Sequence, residues 1–441
     1  MSRAERISLT VFLAITLCGD SMMNFIVVWR LLKNHRSLAV LGLVLTLITL
    51  IPFIAQRISR RLAMSVRHRP LIKFQRLRVL SALAIAGSYI LTYFVTELWV
   101  LYILLVVCTA FGSLAQQTLE THFSFAAFDG VLPEIEASRL LQTSIQLGAS
   151  FGALLAGLLL GSTGLGIELF AIALAMWVGI WIPSLFPDFA KLRSNNAICT
   201  SPPTDTSRRG IRSLQNSISM MGSLAILGLI AIQVGAFNFL VPLIFLNAKG
   251  WSAASYGLAS ATAAAGAILI GYTCKFLTHS SRLLQLSIGI GYLLAHCLLV
   301  ASNLLFVVCF SSLFMGAGNS LMRMVQRAFL FKHVSSKAEG SDWAARFNLV
   351  NQMGRAIAPV FFASSISYLT VDPKLMFVLT GVVVSVSIAM VLVLQDLASR
   401  SHGGDGFIRT AELPEGVPPD QVTAKFEKCL INVGAMLEAL R

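Results

Sequence analysis

The chain has 441 residues, of which 56% are apolar and 12% charged, and its mean hydropathy is +0.77. This balance excludes an ordinary soluble domain, whose charged share is roughly twice as large. The net charge of +14 comes from short basic segments between apolar runs, with no basic domain carrying interleaved aromatics, and this excludes nucleic-acid binding.

A helix needs about 20 apolar residues to cross a bilayer. Twelve segments meet that ruler: 7–29, 37–56, 79–96, 98–119, 138–160, 165–186, 222–246, 253–277, 283–302, 304–327, 346–370 and 374–396. The predicted fold class is an all-α membrane protein of twelve transmembrane helices. The first run has a short basic start and no small-residue cleavage site, so it is read as a retained span rather than a signal peptide. It carries Asp20 near its middle, with Asn24 one turn further on the same face. A charge at the centre of a span costs about 2.5–3.5 kcal/mol. Asp20 is therefore a candidate for proton titration or for pairing with a cation, with a packing carboxylate as the plain alternative.

After span 2, Arg57, Arg60, Arg61, Arg67, Arg69, Lys73, Arg76 and Arg78 occur without an acidic residue among them. They are read as one loop that stays in the cytoplasm. Span 4 ends in Gln116, Gln117, Glu120 and His122. Glu120 and His122 are read as solvated helix-end residues, with a proton relay as the alternative. Gly148, Gly152 and Gly157 of span 5 suit close helix packing, and Trp177 and Trp181 of span 6 are expected to face lipid.

The polar stretch from Pro187 to Ser217 reads as a linker. It divides the chain into a six-helix half (1–186), a cytoplasmic linker (187–218), a second six-helix half (219–396) and a cytoplasmic tail (397–441). In the second half, Gln233 and Asn238 of span 7 are binding candidates, and His296 of span 9 reads as a packing residue. Asn319, Arg323 and Gln326 or Arg327 share one face of span 10, with Arg327 expected to snorkel to the interface. Arg355 lies deep in span 11, preceded by Asn348, Asn351 and Gln352. It needs a partner, either an anionic solute or a carboxylate such as Asp20. In the tail, Val422, Phe426, Leu430, Val433, Leu437 and Leu440 follow Asp420 at helical spacing, which predicts an amphipathic helix.

With both termini in the cytoplasm and Arg355 left aside, 28 Lys and Arg residues fall on that side and 5 on the other. The basic turn from Arg30 to Arg36 is the exception. The halves echo each other: Asn24-Phe25-Ile26-Val27 returns as Asn238-Phe239-Leu240-Val241, and Gln142, Gln146 and Gly148 return as Asn348, Gln352 and Gly354 at a constant offset. The seven cysteines are scattered without CxxC or metal-ligand spacing. No nucleophile-base pair or phosphate-cradling loop is present, so neither cofactor, metal nor enzyme chemistry is expected.

Over residues 8–396 the chain resembles the major facilitator superfamily, and within it the bacterial drug and siderophore exporters similar to the enterobactin exporter. The likeness rests on Gly19-Asp20, on Gly250-Trp251-Ser252 with Tyr256-Gly257-Leu258, and on Gly316 to Asn319 with Gln326-Arg327. It also rests on Leu132-Pro133-Glu134 leading to Gln142. The resemblance implies two six-helix pseudo-repeats rocking about a midplane site, with spans 1, 4, 7 and 10 lining it. Taken with the readings above, the candidate site residues are Asp20, Asn24, Gln116, Gln233, Asn238, Asn319, Arg323, Gln352 and Arg355. One departure stands out: the family's loop after span 2 carries a Gly and an Asp where this chain has Arg60 and Met64. That loop, with Arg67 and Arg69, is the expected gate, and the Asp that latches the halves elsewhere is missing. The implied function is a secondary transporter of the bacterial inner membrane exporting a small organic solute, such as a siderophore or secreted metabolite. The solute is anionic if Arg323 and Arg355 bind it, and protons take part if Asp20 titrates. Multidrug efflux, lysophospholipid-type transport and a non-transporting assembly partner are the alternatives.

Overall fold

A computed structural model describes residues 3–34, 38–58, 70–160, 164–185, 209–277, 282–332 and 337–401. Within them the chain forms twelve helices: α1 (Arg3–Asn34), α2 (Leu38–Ile58), α3 (Pro70–Leu91), α4 (Glu97–Phe128), α5 (Glu134–Leu159), α6 (Leu165–Leu185), α7 (Arg209–Leu243, continued by a π turn over Ile244–Ala248), α8 (Ala253–Leu277), α9 (Arg282–Ala301), α10 (Leu305–Lys332), α11 (Lys337–Leu369) and α12 (Pro373–Ser401). Each predicted span falls on one helix, but several helices outrun the apolar ruler. α3 starts at Pro70, a residue whose fixed φ and missing N–H suit the first helical position. Lys73, Arg76 and Arg78 are thereby helical, which corrects their reading as loop residues. A helix continues past the hydrocarbon because its backbone bonds stay satisfied, whereas apolar counting stops at the first charges. The gate candidates Arg60, Met64, Arg67 and Arg69, the linker up to residue 208 and the tail from residue 402 lie outside the described residues. α7 starts at Arg209, inside the stretch read as linker.

Among the described residues, Arg6–Lys33, Trp99–Phe128, Met221–Ala248, Ala253–Thr273 and Leu305–Ala328 are each long and apolar enough to cross a membrane, with shorter apolar helices beside them. The chain is a multi-pass membrane protein. On α6, Phe170, Leu174, Trp177 and Trp181 form an exposed stripe at helical spacing, as expected of a surface that meets lipid.

In the first six helices, α1 packs on α5 and α6, and α3 on α4 and α6; in the last six, α7 packs on α11, and α10 on α8 and α9. Two seams join the sets, α5 against α8 and α2 against α11, and they are built alike. In the first, a Cβ on Gly157 would lie 3.0 Å from the Cα of Gly257; in the second, a Cβ on Gly42 would lie 2.4 Å from that of Ala363. Next along the seams, Ser150 Oγ donates to Ala261 O at 3.1 Å and Thr46 Oγ1 to Ala356 O at 2.6 Å. Ala363 and Ala356 stand in α11 where Gly157 and Ser150 stand in α5, at the same offset that relates Gln142 to Asn348. The hydroxyl has changed sides while the contact is kept. Gly148 and Gly354 repeat the pattern: a Cβ on either would come within 2.8 Å of a backbone oxygen, Ala14 O of α1 or Gly228 O of α7. The weak sequence echoes are the trace of this pseudo-twofold arrangement.

Candidate functional site: a cavity between the two halves

Between the two sets of six helices lies a cavity of about 430 Å³, within the size range of small-molecule sites. From the first set, Asp20 and Asn24 of α1 and Gln116 of α4 line it; from the second, Asn238 of α7, Asn319 and Arg323 of α10, and Gln352 and Arg355 of α11. Gln233 is fully buried behind this wall, where its Nε2 donates to His296 Nε2 at 3.1 Å and its Oε1 accepts from Asn319 Nδ2 at 2.9 Å. Asn319 Oδ1 in turn accepts from the Tyr292 hydroxyl at 2.9 Å, and His296 Nδ1 donates to Tyr292 O at 2.8 Å. Every polar group in this α7–α9–α10 chain is used when the imidazole is neutral and protonated on Nδ1. His296 is thus a hydrogen-bonded packing residue that fixes the tilt of the Asn319 amide.

The electrostatics depend on which charges are matched. Asp20 pairs with Arg78 of α3, not with Arg355. Arg78 is 1% exposed and stacks its guanidinium over Phe74, 5.1 Å from the ring centroid. The pair needs the helix that begins at Pro70, because only then is Arg78 carried two turns into the bundle on the same face as Phe74. Arg30 of α1, the awkward charge of the predicted outer turn, forms a two-pronged pair with the fully buried Glu168 of α6, both bonds at 2.7 Å.

Glu120 and Arg327 correct two further expectations. Neither is solvated or snorkelling; they are 1% and 2% exposed and joined at 2.6 Å across the two sets of helices. Arg327 also donates to Gln142 Oε1 of α5 at 3.0 Å and lies 4.5 Å from the Phe347 ring centroid of α11. Gln116 donates to the Glu120 carboxylate at 3.1 Å, and Asn348 of α11 donates to Ser113 O of α4 at 3.2 Å. His122 is buried edge-on against Phe123. Together these contacts join the halves at the end where α1 starts.

At the other end the closure is aromatic. Tyr256 of α8 stacks on Phe25 of α1, with centroids 4.6 Å apart, and lies 6.0 Å from both Trp29 and Phe245. Gly250, with φ of +64°, makes the turn that brings Trp251 against Phe245.

What remains is Arg323 and Arg355. Arg323 donates to Asn351 Oδ1 at 2.5 Å, a neutral acceptor. Arg355 makes no hydrogen bond or ion pair among the described residues. Asp20, Glu120 and Glu168 are all taken by other arginines.

A cavity between two pseudo-symmetric six-helix sets defines a fold class used for carrying solutes through membranes. No protein-family model matches the chain, and no curated protein matches it in sequence. Solved structures do. A bacterial homolog of the human lysosomal transporter Spinster, inward-facing and unoccupied, has a TM-score of 0.58 at 12% identity, covering 91% of this chain and 98% of that one. The human organic anion transporter MFSD10 gives 0.59 at 12% identity, over 88% and 100% of the two chains. The nucleoside transporter NupG gives 0.55 at 12%, over 88% and 98%. These likenesses show that the chain has the major facilitator fold.

Proposed function

We propose that the chain is a secondary transporter that carries a small organic anion by alternating access, the two six-helix halves rocking about the central cavity. The observation that carries this reading is the pair of arginines on the cavity wall left without a carboxylate. An unmatched guanidinium deep in a membrane protein is costly, and a cavity wall is where a diffusible anion can match it. Asp20, held by Arg78, gives proton coupling no support. Export of a secreted metabolite such as a siderophore from the cytoplasm across a bacterial inner membrane, with both termini cytoplasmic, is the direction the sequence resemblance favours. Cationic or neutral drugs would not need two arginines left without a carboxylate.

The test is uptake by the purified chain in liposomes of labelled anionic, cationic and neutral organic solutes of similar size. Saturable flux confined to anions, and lost in Arg323→Gln with Arg355→Gln, is expected. Folded protein that moves no anion, or moves neutral solutes equally well, would remove the reading.

A further inference from the structure

We infer that the bound solute presents two negative charges, as a phosphate monoester or as a pair of carboxylates. The inference rests on the anion reading of the cavity and follows from the balance of its charges. Four residues that carry a charge at neutral pH line the cavity: Asp20, Arg323, Arg327 and Arg355. Asp20 is neutralised by Arg78 and Arg327 by Glu120. The Arg30–Glu168 pair, outside the lining, is neutral too. Two positive charges remain, both from the second half. Among the described residues no carboxylate meets either: Asn351 gives Arg323 only a neutral oxygen, and the Asn319 amide is committed to Gln233 and Tyr292.

A monoanion would leave one guanidinium unmatched in a low-dielectric cavity, whereas a dianion matches both and offers enough oxygens for two planar forks. The two arginines, contributed by α10 and α11 and both lining the cavity, thus select on charge as well as on sign.

The experiment is calorimetric titration of the full chain in detergent with two matched probe pairs. These are glycerol 3-phosphate against its monomethyl ester, and succinate against monomethyl succinate. In at least one pair the dianion should bind about tenfold or more tightly than its monoanionic partner, one per chain; the pair that shows it assigns phosphate or dicarboxylate. Arg323→Gln and Arg355→Gln, each still monodisperse and cooperatively unfolding, should each abolish the preference, while Arg346→Gln, at an exposed position of α11 outside the cavity lining, should keep it. Equal binding of monoanions and dianions, two anions bound per chain, or a preference surviving both single variants would overturn the charge assignment alone. Failure of all four probes to bind folded protein would overturn the anion reading with it.

Discussion

Arg78, Arg327 and Arg355 are chemically the same side chain in the same membrane, and their partners alone separate structural roles from a binding role. Removing the carboxylate from a buried pair strands the cation, at a cost of about 3–5 kcal/mol. Glu120→Gln should therefore lower stability by about that much in thermal or denaturant unfolding, and adding Arg327→Gln should restore most of it. A Glu120→Gln protein as stable as the wild type would mean that the pair does not hold the halves. Arg355→Gln should behave oppositely: it removes an unmatched charge, so the unfolding temperature of the unliganded protein should hold or rise while anion binding falls. A large loss of stability in that variant would reveal a partner for Arg355. Asp20 and Arg355 stood out in the sequence because each interrupts an apolar run. Their partners did not, because Arg78 sits just before the apolar window of its span and Glu120 and Arg327 sit at the ends of theirs. Pairing across α1–α3 and α4–α10 is tertiary information that spacing along the chain does not contain.

The helices were legible because a length of apolar chain that must cross a bilayer leaves a strong mark; their ends were not, because helices continue through charged turns. The contacts between helices depend on small residues at single positions. A Cβ on Gly316 would fall 1.7 Å from Ala263 O and one on Gly266 2.0 Å from Leu313 O, whereas Gly87 has nothing within 4 Å. Gly316→Ala should force α8 and α10 apart, at a cost of about 1–3 kcal/mol or more. Gly87→Ala should gain about 0.5–1 kcal/mol. Equal unfolding midpoints for the two variants would contradict this packing. On the other seam, Pro359 interrupts the hydrogen-bond ladder of α11, and the Thr46 hydroxyl enters beside it, donating to Ala356 O and accepting from Val360 N at 3.2 Å. Thr46→Val should cost about 1–3 kcal/mol of stability in unfolding measurements, and a loss no larger than that of a surface threonine would show the bridge to be incidental.

At the scale of the bundle of α1 to α11, the two ends are closed differently. The end where α1 starts is held by Glu120, Arg327, Gln142 and Asn348, and it also buries Gln117, Thr121, His122 and Gln326. Opening there would bring polar groups to water. The opposite end is held by Phe25, Trp29, Phe245 and Tyr256, where opening exposes apolar surface instead.

The central claim is that the two halves rock about a cavity that holds an anion, and interspin distances measured at both ends of one protein test it most directly. In a background without the native cysteines, labels at Val131 and Arg346 report the end with the polar latch, and labels at Val95 and Leu304 report the opposite end. Saturation with a transported anion should change the populations in opposite senses, one distance lengthening as the other shortens. Distances that stay fixed, or that lengthen together, would contradict the account.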